Sequence, residues 1–472
     1  MSRAKTQPAD TQHALSYQEF LESKRVKSIP TGFEVSESEI NPKLFPFQRD
    51  IVQFALRRGK SACFAHTGLG KGPIQMEWCQ HLIERGPSLI LAPLAVAHQF
   101  KREGVKFGYD INVCKQQSDV RRDAINVTNY DRSDDFALES FTAVAMDESS
   151  IIKDFTSRTC QNLIERLARV PYKICSTATP SPNEHAELGT HAELLDVMTR
   201  PGMLSMFFEH DGGDTGNWVL KGHGKRPFWY FMATWSVCLK KPSDLGYDDA
   251  GFDLPPLRVI EHIVPVDHGV ATEGMLFRSP DLSATGLHKE LRLTAKDRAR
   301  KVAELVTAEP HEPWLIWCNT NYEADEIRAV LPKVVEVRGS DSVTRKEEAL
   351  EAFAVGGIQW LLTKSSIAGF GMNYQHCARM AFVGMSYSWE QVFQAIRRCW
   401  RFGQTREVFA NLVCAETEGK VLESFRRKER QYEELQSEMN EAMRHEQLKA
   451  RYHAAQYQHN LEIRIPLWLH SQ

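Results

Sequence analysis

A chain of 472 residues, 42% hydrophobic and 25% charged, has the balance of an ordinary globular protein, with room for two to four domains of about 100–200 residues each. Basic residues number 58 against 61 acidic, so average charge lends no support to nucleic-acid binding; such a partner would require basic side chains gathered in one groove. No apolar run reaches about 18 residues, which argues against a membrane span, and the polar opening MSRAKTQPADTQHALSYQEF lacks a secretory core, so a cytoplasmic protein with no membrane partner is expected.

Residues 1–40 read as a polar, partly ordered lead-in. From Leu44 onward, the apolar runs SACFA (61–65), SLILA (88–92), INVT (125–128), FTAVAMDE (141–148) and YKICST (172–177) alternate with helical segments such as GPIQMEWCQHLIER, read as amphipathic. That alternation predicts an α/β lobe over 41–200, a parallel sheet with helices on both faces. Residues 201–256 break the rhythm with HDGGDTGNW and GHGKRPFWYF and read as an inserted, mainly helical segment with loops. Its Lys221, Lys225 and Arg226 among Trp218, Phe228, Trp229 and Tyr230 could stack on bases, although a core private to the insertion is the commoner fate of such aromatics.

A second series follows over 257–415: RVIEHIVPV, WLIWC, VVEV, IQWLLT, RMAFV and EVFANLVC. Two tandem α/β lobes are more economical than one sheet of about a dozen strands. The tail, 416–472, is highly charged and predicts a solvated, mixed-charge helix to about Gln456, ending in the apolar patch IPLWL. The ten cysteines form no CxxC, and several sit inside apolar runs, as buried reduced thiols would.

AHTGLGKG (65–72) lies between a strand and a helix, where glycines let backbone amides curl around phosphate oxygens and the helix N-terminus adds positive potential. Thr67, Gly68, Leu69, Gly70, Lys71 and Gly72 are the expected nucleotide cradle, with Lys71 reaching the β- and γ-phosphates. A phosphate loop usually carries Ser or Thr after its lysine to hold Mg²⁺; here the position is Gly72, followed by Pro73. The alternatives are an ordinary glycine-rich turn, or a nucleotide site with weakened metal binding.

Asp147 and Glu148 end the apolar run AVAMDE. At the carboxyl edge of a parallel sheet an aspartate can hold Mg²⁺ and a neighbouring glutamate can polarise a water. Such a pair can also be a solvated turn, but its placement after Lys71, on another strand of one sheet, favours catalysis.

Asp147-Glu148-Ser149-Ser150 resembles the DEAD/DEAH box of superfamily-two helicases, and further segments follow in that family's order. LFPFQRD resembles the adenine-recognising segment, with Gln48 the implied base reader. LAPLAVAHQF (91–100), with Pro93, and VTNYDR (127–132), with Thr128 and Asn129, resemble nucleic-acid-contacting motifs. STATP (176–180) resembles the segment coupling hydrolysis to lobe movement. TKSSIAGFGMNYQ (363–375) is similar to a motif touching both ligands, which implies nucleic-acid contacts for Thr363 and Ser365 and a nucleotide contact for Gly371, with Gly369 and Asn373 also matched.

QAIRRCWRFGQ (394–404) is similar to the arginine-finger motif in its Swi/Snf-like form, with Arg398 and Arg401 matched and Arg401 the implied finger. That form often has Asp where this chain has Arg397. The alternative for these arginines is a solvated basic helix. KKPSDLGYDDAGFDLPP (240–256) resembles the approach to the second lobe in phage and bacterial members. The resemblance spans residues 44–415. It implies two RecA-like lobes and a DNA-dependent ATPase or helicase using ATP and Mg²⁺, more a translocase on double-stranded DNA than an unwinding enzyme. It also implies a bacterial or phage-infected host cytoplasm. Protein partners would attach through the insertion or tail. Other classes remain open: a nucleotide-gated DNA-binding module with lost hydrolysis, or an RNA helicase.

Overall fold

A computed structural model describes residues 29–93, 96–211, 214–266, 290–368, 373–384 and 389–455. The first part of the chain contributes β1 (Lys60–Ala65), β2 (Ser88–Ala92), β3 (Ile111–Val113), β4 (Ile125–Asn129), β5 (Ala143–Asp147), β6 (Tyr172–Ser176), the antiparallel pair β7 (Phe208–Asp211) and β8 (Asp214–Leu220), and β9 (Ser236–Leu239). All but β7 and β8 form one seven-stranded parallel sheet in the order 3-4-2-5-6-1-9. Helices cover both faces, so β2, β4 and β5 are buried at every residue and read as continuous apolar runs. Alternate side chains still serve opposite faces: Leu89 and Leu91 join one core, Ile90 and Ala92 the other.

The second lobe repeats the plan with β10 (Leu257–Val264), β11 (Trp314–Cys318), β12 (Val335–Val337), β13 (Trp360–Lys364), β14 (Arg379–Val383) and β15 (Val408–Ala415), parallel throughout in the order 10-15-14-11-13-12. The expected pair of tandem RecA-like parallel-sheet lobes is what the chain builds. No helix among the described residues is long and apolar enough to cross a membrane, and all ten cysteines are buried and unpaired.

Several expectations are corrected. Ser236–Leu239, expected within the insertion, is instead the edge strand β9 beside β1. Of the aromatics expected to stack on bases or form a private core, Phe228 and Trp229 join the first lobe's core with Leu89 and Leu91, and Trp218 packs against it; Tyr230 is half-buried outside that core. The helix Lys71–Gln80 is not amphipathic: residues 74 to 79 are all buried, because it is enclosed between the sheet and neighbouring helices.

The tail helix, Gly419–Ala455, is not simply solvated. Val421, Leu422, Phe425 and Tyr432 enter the second lobe's core, while Met439 and Met443 enter the first lobe's. Phe425, Tyr432, Met439 and Met443 recur at steps of seven and four, the narrow seam of a helix packed along one stripe. Polar contacts reinforce both ends: Arg426 pairs with Glu261, and Lys225 with Glu438 at 3.0 Å. The Tyr432 hydroxyl donates to the Ala178 carbonyl at 3.2 Å. Residues 1–28 and the IPLWL patch lie outside the described residues.

The second lobe also encloses a charge. Arg298 is fully buried, 2.8 Å from Glu323 and 3.4 Å from Glu418, which are equally buried. Removing one member of such a cluster strands the others without counter-charge, at about 3–5 kcal/mol. Arg298→Met is therefore expected to lower the stability of the second lobe by about that amount, read as a fall in its urea midpoint.

Candidate nucleotide and nucleic-acid site

The phosphate loop turns on two glycines with left-handed backbones, Gly68 at φ 93° and Gly70 at φ 80°. A side chain on Gly70 would run into Nε2 of Gln48, and one on Gly68 would lie 2.9 Å from Phe402 of the other lobe. Gln48 is 4% exposed; it accepts from the Phe45 amide at 2.9 Å and donates to the Leu69 carbonyl at 3.0 Å. Its amide therefore braces the loop, leaving one lone pair and one N–H for a base. Lys71 folds back onto the Ala65 carbonyl at 3.1 Å.

Asp147 ends β5 at 9% exposure. Burial, and then repulsion from Glu148, push its pKa up to about 6, against donation from Gln75 and the nearby Lys71 and Arg398. Gln75, which motif reading missed, gives Asp147 a hydrogen bond of 2.9 Å from the buried helix after the loop. Tyr130 of VTNYDR donates to the Asp147 carbonyl at 2.7 Å. Glu148 sits at φ 49°, a strained conformation outside glycine, with the Thr177 hydroxyl of STATP 3.5 Å from its carboxylate.

The second lobe brings Arg398 and Arg401 into the same cleft, a cavity of about 380 Å³ also lined by Thr67, Gly68, Gly70, Lys71, Gly72, Asp147 and Glu148. Both arginines lose proton affinity to burial, Arg401 falling to about 10, which leaves it charged at neutral pH. They are not on a solvated helix. Nε of Arg401 and Oδ1 of Asn373 are buried without partners among the described residues, polar atoms that a bound phosphate or sugar could match. Phe45, Phe252 and Phe402 cluster with ring centroids 4.9 to 6.2 Å apart; Phe45 and Phe402 line the cavity itself. This aromatic wall is assembled from three distant segments and could not be found by spacing.

A Cβ on Gly72 would meet the Glu103 carboxylate at 3.1 Å, so a carboxylate faces the place of the absent hydroxyl. Thr67 stays in the cleft lining, and Leu69 is buried beneath the loop. The expected nucleic-acid contacts divide. Thr128 and Thr363 are 1% exposed, their hydroxyls donated to the carbonyls of Cys114 and Val337, and Asn129 caps the amide of Arg132. These three side chains hold the lobes' own backbone, because strand interiors bury them. Pro93 and Ser365 remain partly accessible; Gly369 and Gly371 lie outside the described residues.

Gly68→Ala places a methyl group against Phe402 on a backbone strained by about 1–2 kcal/mol. It should weaken binding of a fluorescent ADP analogue by about tenfold or more.

A family model, the helicase conserved C-terminal domain, matches residues 297–403. The mouse DNA annealing helicase and endonuclease ZRANB3 is 26% identical over 182 residues, 35% of this chain and 17% of its own. A Caenorhabditis elegans homolog of the SWI/SNF-related matrix-associated actin-dependent regulator of chromatin subfamily A-like protein 1 is 24% identical over 212 residues, 42% of this chain and 31% of its own. The chain thus spans under a third of either curated relative. The Sulfolobus solfataricus SWI2/SNF2 ATPase core in complex with dsDNA aligns over 86% of this chain and 96% of its own, at 16% identity and a TM-score of 0.40. The motifs in family order, the two parallel-sheet lobes and these sequence matches make the chain similar to superfamily-two helicases of the Swi/Snf-like kind.

Proposed function

We propose that this chain is an ATP-driven motor that moves along double-stranded DNA, hydrolysing ATP to ADP and phosphate between its lobes. The observation that supports it is the single cleft shared by Lys71, Asp147 and Glu148 of the first lobe and Arg398 and Arg401 of the second. Lys71 would leave the Ala65 carbonyl for the β- and γ-phosphates, and Glu148 would orient the attacking water. Arg398 and Arg401 would meet the charge that accumulates on the γ-phosphate, a contribution of about 10³–10⁵ in rate for enzymes of this type. Asp147 would hold Mg²⁺, which when bound offsets phosphate charge; hard oxygen ligands suit that ion. Because the two halves of the site sit on separate lobes, closing on ATP and opening after hydrolysis alternate each lobe's grip on the polymer.

DNA rather than RNA is supported by the Swi/Snf-like motif form and by the DNA-directed name of the mouse relative. Translocation rather than strand separation rests on that motif form alone. Gly72 favours a second reading, a nucleotide-gated DNA-binding module with little hydrolysis.

Steady-state ATPase activity with Mg²⁺, alone and with duplex DNA, single-stranded DNA or RNA, separates these. Duplex DNA should stimulate most, and Lys71→Ala and Arg401→Ala should each remove roughly 10³-fold or more of the turnover. Stronger stimulation by RNA would favour an RNA helicase; ATP binding without turnover on any polymer would overturn the motor. In Gly72→Thr, the new Cβ meets the flexible end of Glu103 at 3.1 Å and the Phe100 ring at 3.6 Å. The substitution should lower the Mg²⁺ needed for half-maximal turnover by about tenfold; an unchanged Mg²⁺ dependence would show that the hydroxyl is not limiting.

A further inference from the structure

Arg397 stands beside Arg398, one of the two arginines proposed to meet the γ-phosphate, yet it is absent from the lining of the nucleotide cavity. Its Nη2 lies 2.8 Å from Nε2 of His66, across the lobe boundary. A guanidinium only donates, so the imidazole accepts through Nε2 and must be neutral there. Burial, followed by Arg397, Lys71 and Lys240, holds the His66 pKa well below its ordinary value. Arg397 is 5% exposed and lies over the rings of Phe393 and Trp400, 4.7 and 4.2 Å from their centroids. Its Nε and Nη1 have no partner among the described residues, so the bond to His66 is its principal polar anchor.

His66 is the residue that joins β1 to the phosphate loop. Its amide donates to Leu239 of β9 at 2.9 Å, and its carbonyl accepts from Leu69 inside the loop at 3.3 Å. Three groups of one residue therefore tie the sheet edge, the loop and the second lobe together. A second contact lies five residues further along: Phe402 presses on Gly68, where a Cβ would have 2.9 Å. Arg398 and Arg401 fall between these two contacts in the chain.

We propose that Arg397 is a positioning residue that latches the second lobe onto the phosphate loop through His66, and with Phe402 brackets the two arginines so that they face the nucleotide only when the lobes are closed. The effect on turnover rests on the motor reading above; the effect on lobe closure does not.

The test measures lobe closure and hydrolysis separately. Because the ten native cysteines are buried, fluorophores can be placed on Glu84→Cys and Glu348→Cys, exposed positions on the first and second lobes. Energy transfer is then followed with Mg²⁺ and a non-hydrolysable ATP analogue. His66→Leu and Arg397→Met should each shift the nucleotide-bound protein toward the open state, the double variant no further than either alone. His66→Gln, which restores an acceptor at the reach of Nε2, should close like the parent. In the DNA-stimulated assay the two disruptive variants should lose about tenfold in kcat, with KM for ATP within roughly twofold.

Closure unchanged in both disruptive variants, a His66→Gln as open as His66→Leu, or multiplicative effects in the double variant would overturn the latch. If His66→Leu fails to fold, Arg397→Met carries the test, since it leaves the loop's own residues intact. A parent that closes on nucleotide but hydrolyses nothing with any polymer would overturn the motor and not the latch.

Discussion

Lys71, Arg397, Arg398 and Arg401 meet along one seam between the lobes, where Arg397 and Arg398 are 5% and 4% exposed. Burial lowers the proton affinity of Arg397 to about 9 and of Arg401 to about 10, which still leaves both charged at neutral pH. Charges held out of water are unfavourable unless countered: Glu103, Glu148 and Asp147 attract Arg401, while Glu429 and Glu433 line the neighbouring pocket with Arg397. Asp147 and Glu148 repel one another, so the cleft that holds Arg398 and Arg401 sets two cations against crowded carboxylates. A triphosphate entering that cleft would meet both arginines at once, which would make closure responsive to nucleotide.

Closure also requires that the lobes stay in register as they part. The helix Gly419–Ala455 provides this, since its apolar stripe is shared between the two cores. A residue such as Tyr432 is packed with Trp389 and Phe393 of the second lobe while its hydroxyl reaches Ala178, just past the STATP threonine of the first. Tyr432 thus physically joins the second lobe to the segment that follows Thr177. Coupling by a packed element with two ends is a physical route between sites, and here it runs parallel to the bond between Arg397 and His66.

The sheets and the phosphate cradle were legible because their physics is local. SLILA, WLIWC and RMAFV are buried on both faces, so their composition alone marks them as interior strands, and AHTGLGKG needs its glycines whatever surrounds it. What stayed hidden was set by distant partners. β9 is only SVCL, too short to stand out until it pairs with β1. Thr128 and Thr363 sit where a family motif implies contact with nucleic acid, but strand pairing turns their hydroxyls onto neighbouring carbonyls. The tail helix carries one apolar residue per turn or fewer in a field of charges, a stripe that has meaning only against two cores. Gln75 and Glu103 lie outside every motif and His66, though inside AHTGLGKG, has no role in it: each acquires its place by meeting Asp147, Gly72 or Arg397 from another element.

Gly72 shows how such long-range compensation works at a single position. In a phosphate loop the hydroxyl after the lysine comes from the loop itself, fixed by the backbone of the helix start. Removing it opens space rather than leaving a hole, because the Glu103 carboxylate from the helix Ala97–Phe107 lies 3.1 Å from where the side chain would begin. The oxygen donor nearest that position therefore belongs to a different element, held by Gln99 at 2.8 Å, and it carries a full charge where a hydroxyl carries none. That charge also faces Arg401, on which Glu103 exerts the foremost attraction. Glu103 thus lies between Gly72 of the loop and Arg401 of the second lobe, a side chain that neither motif contains.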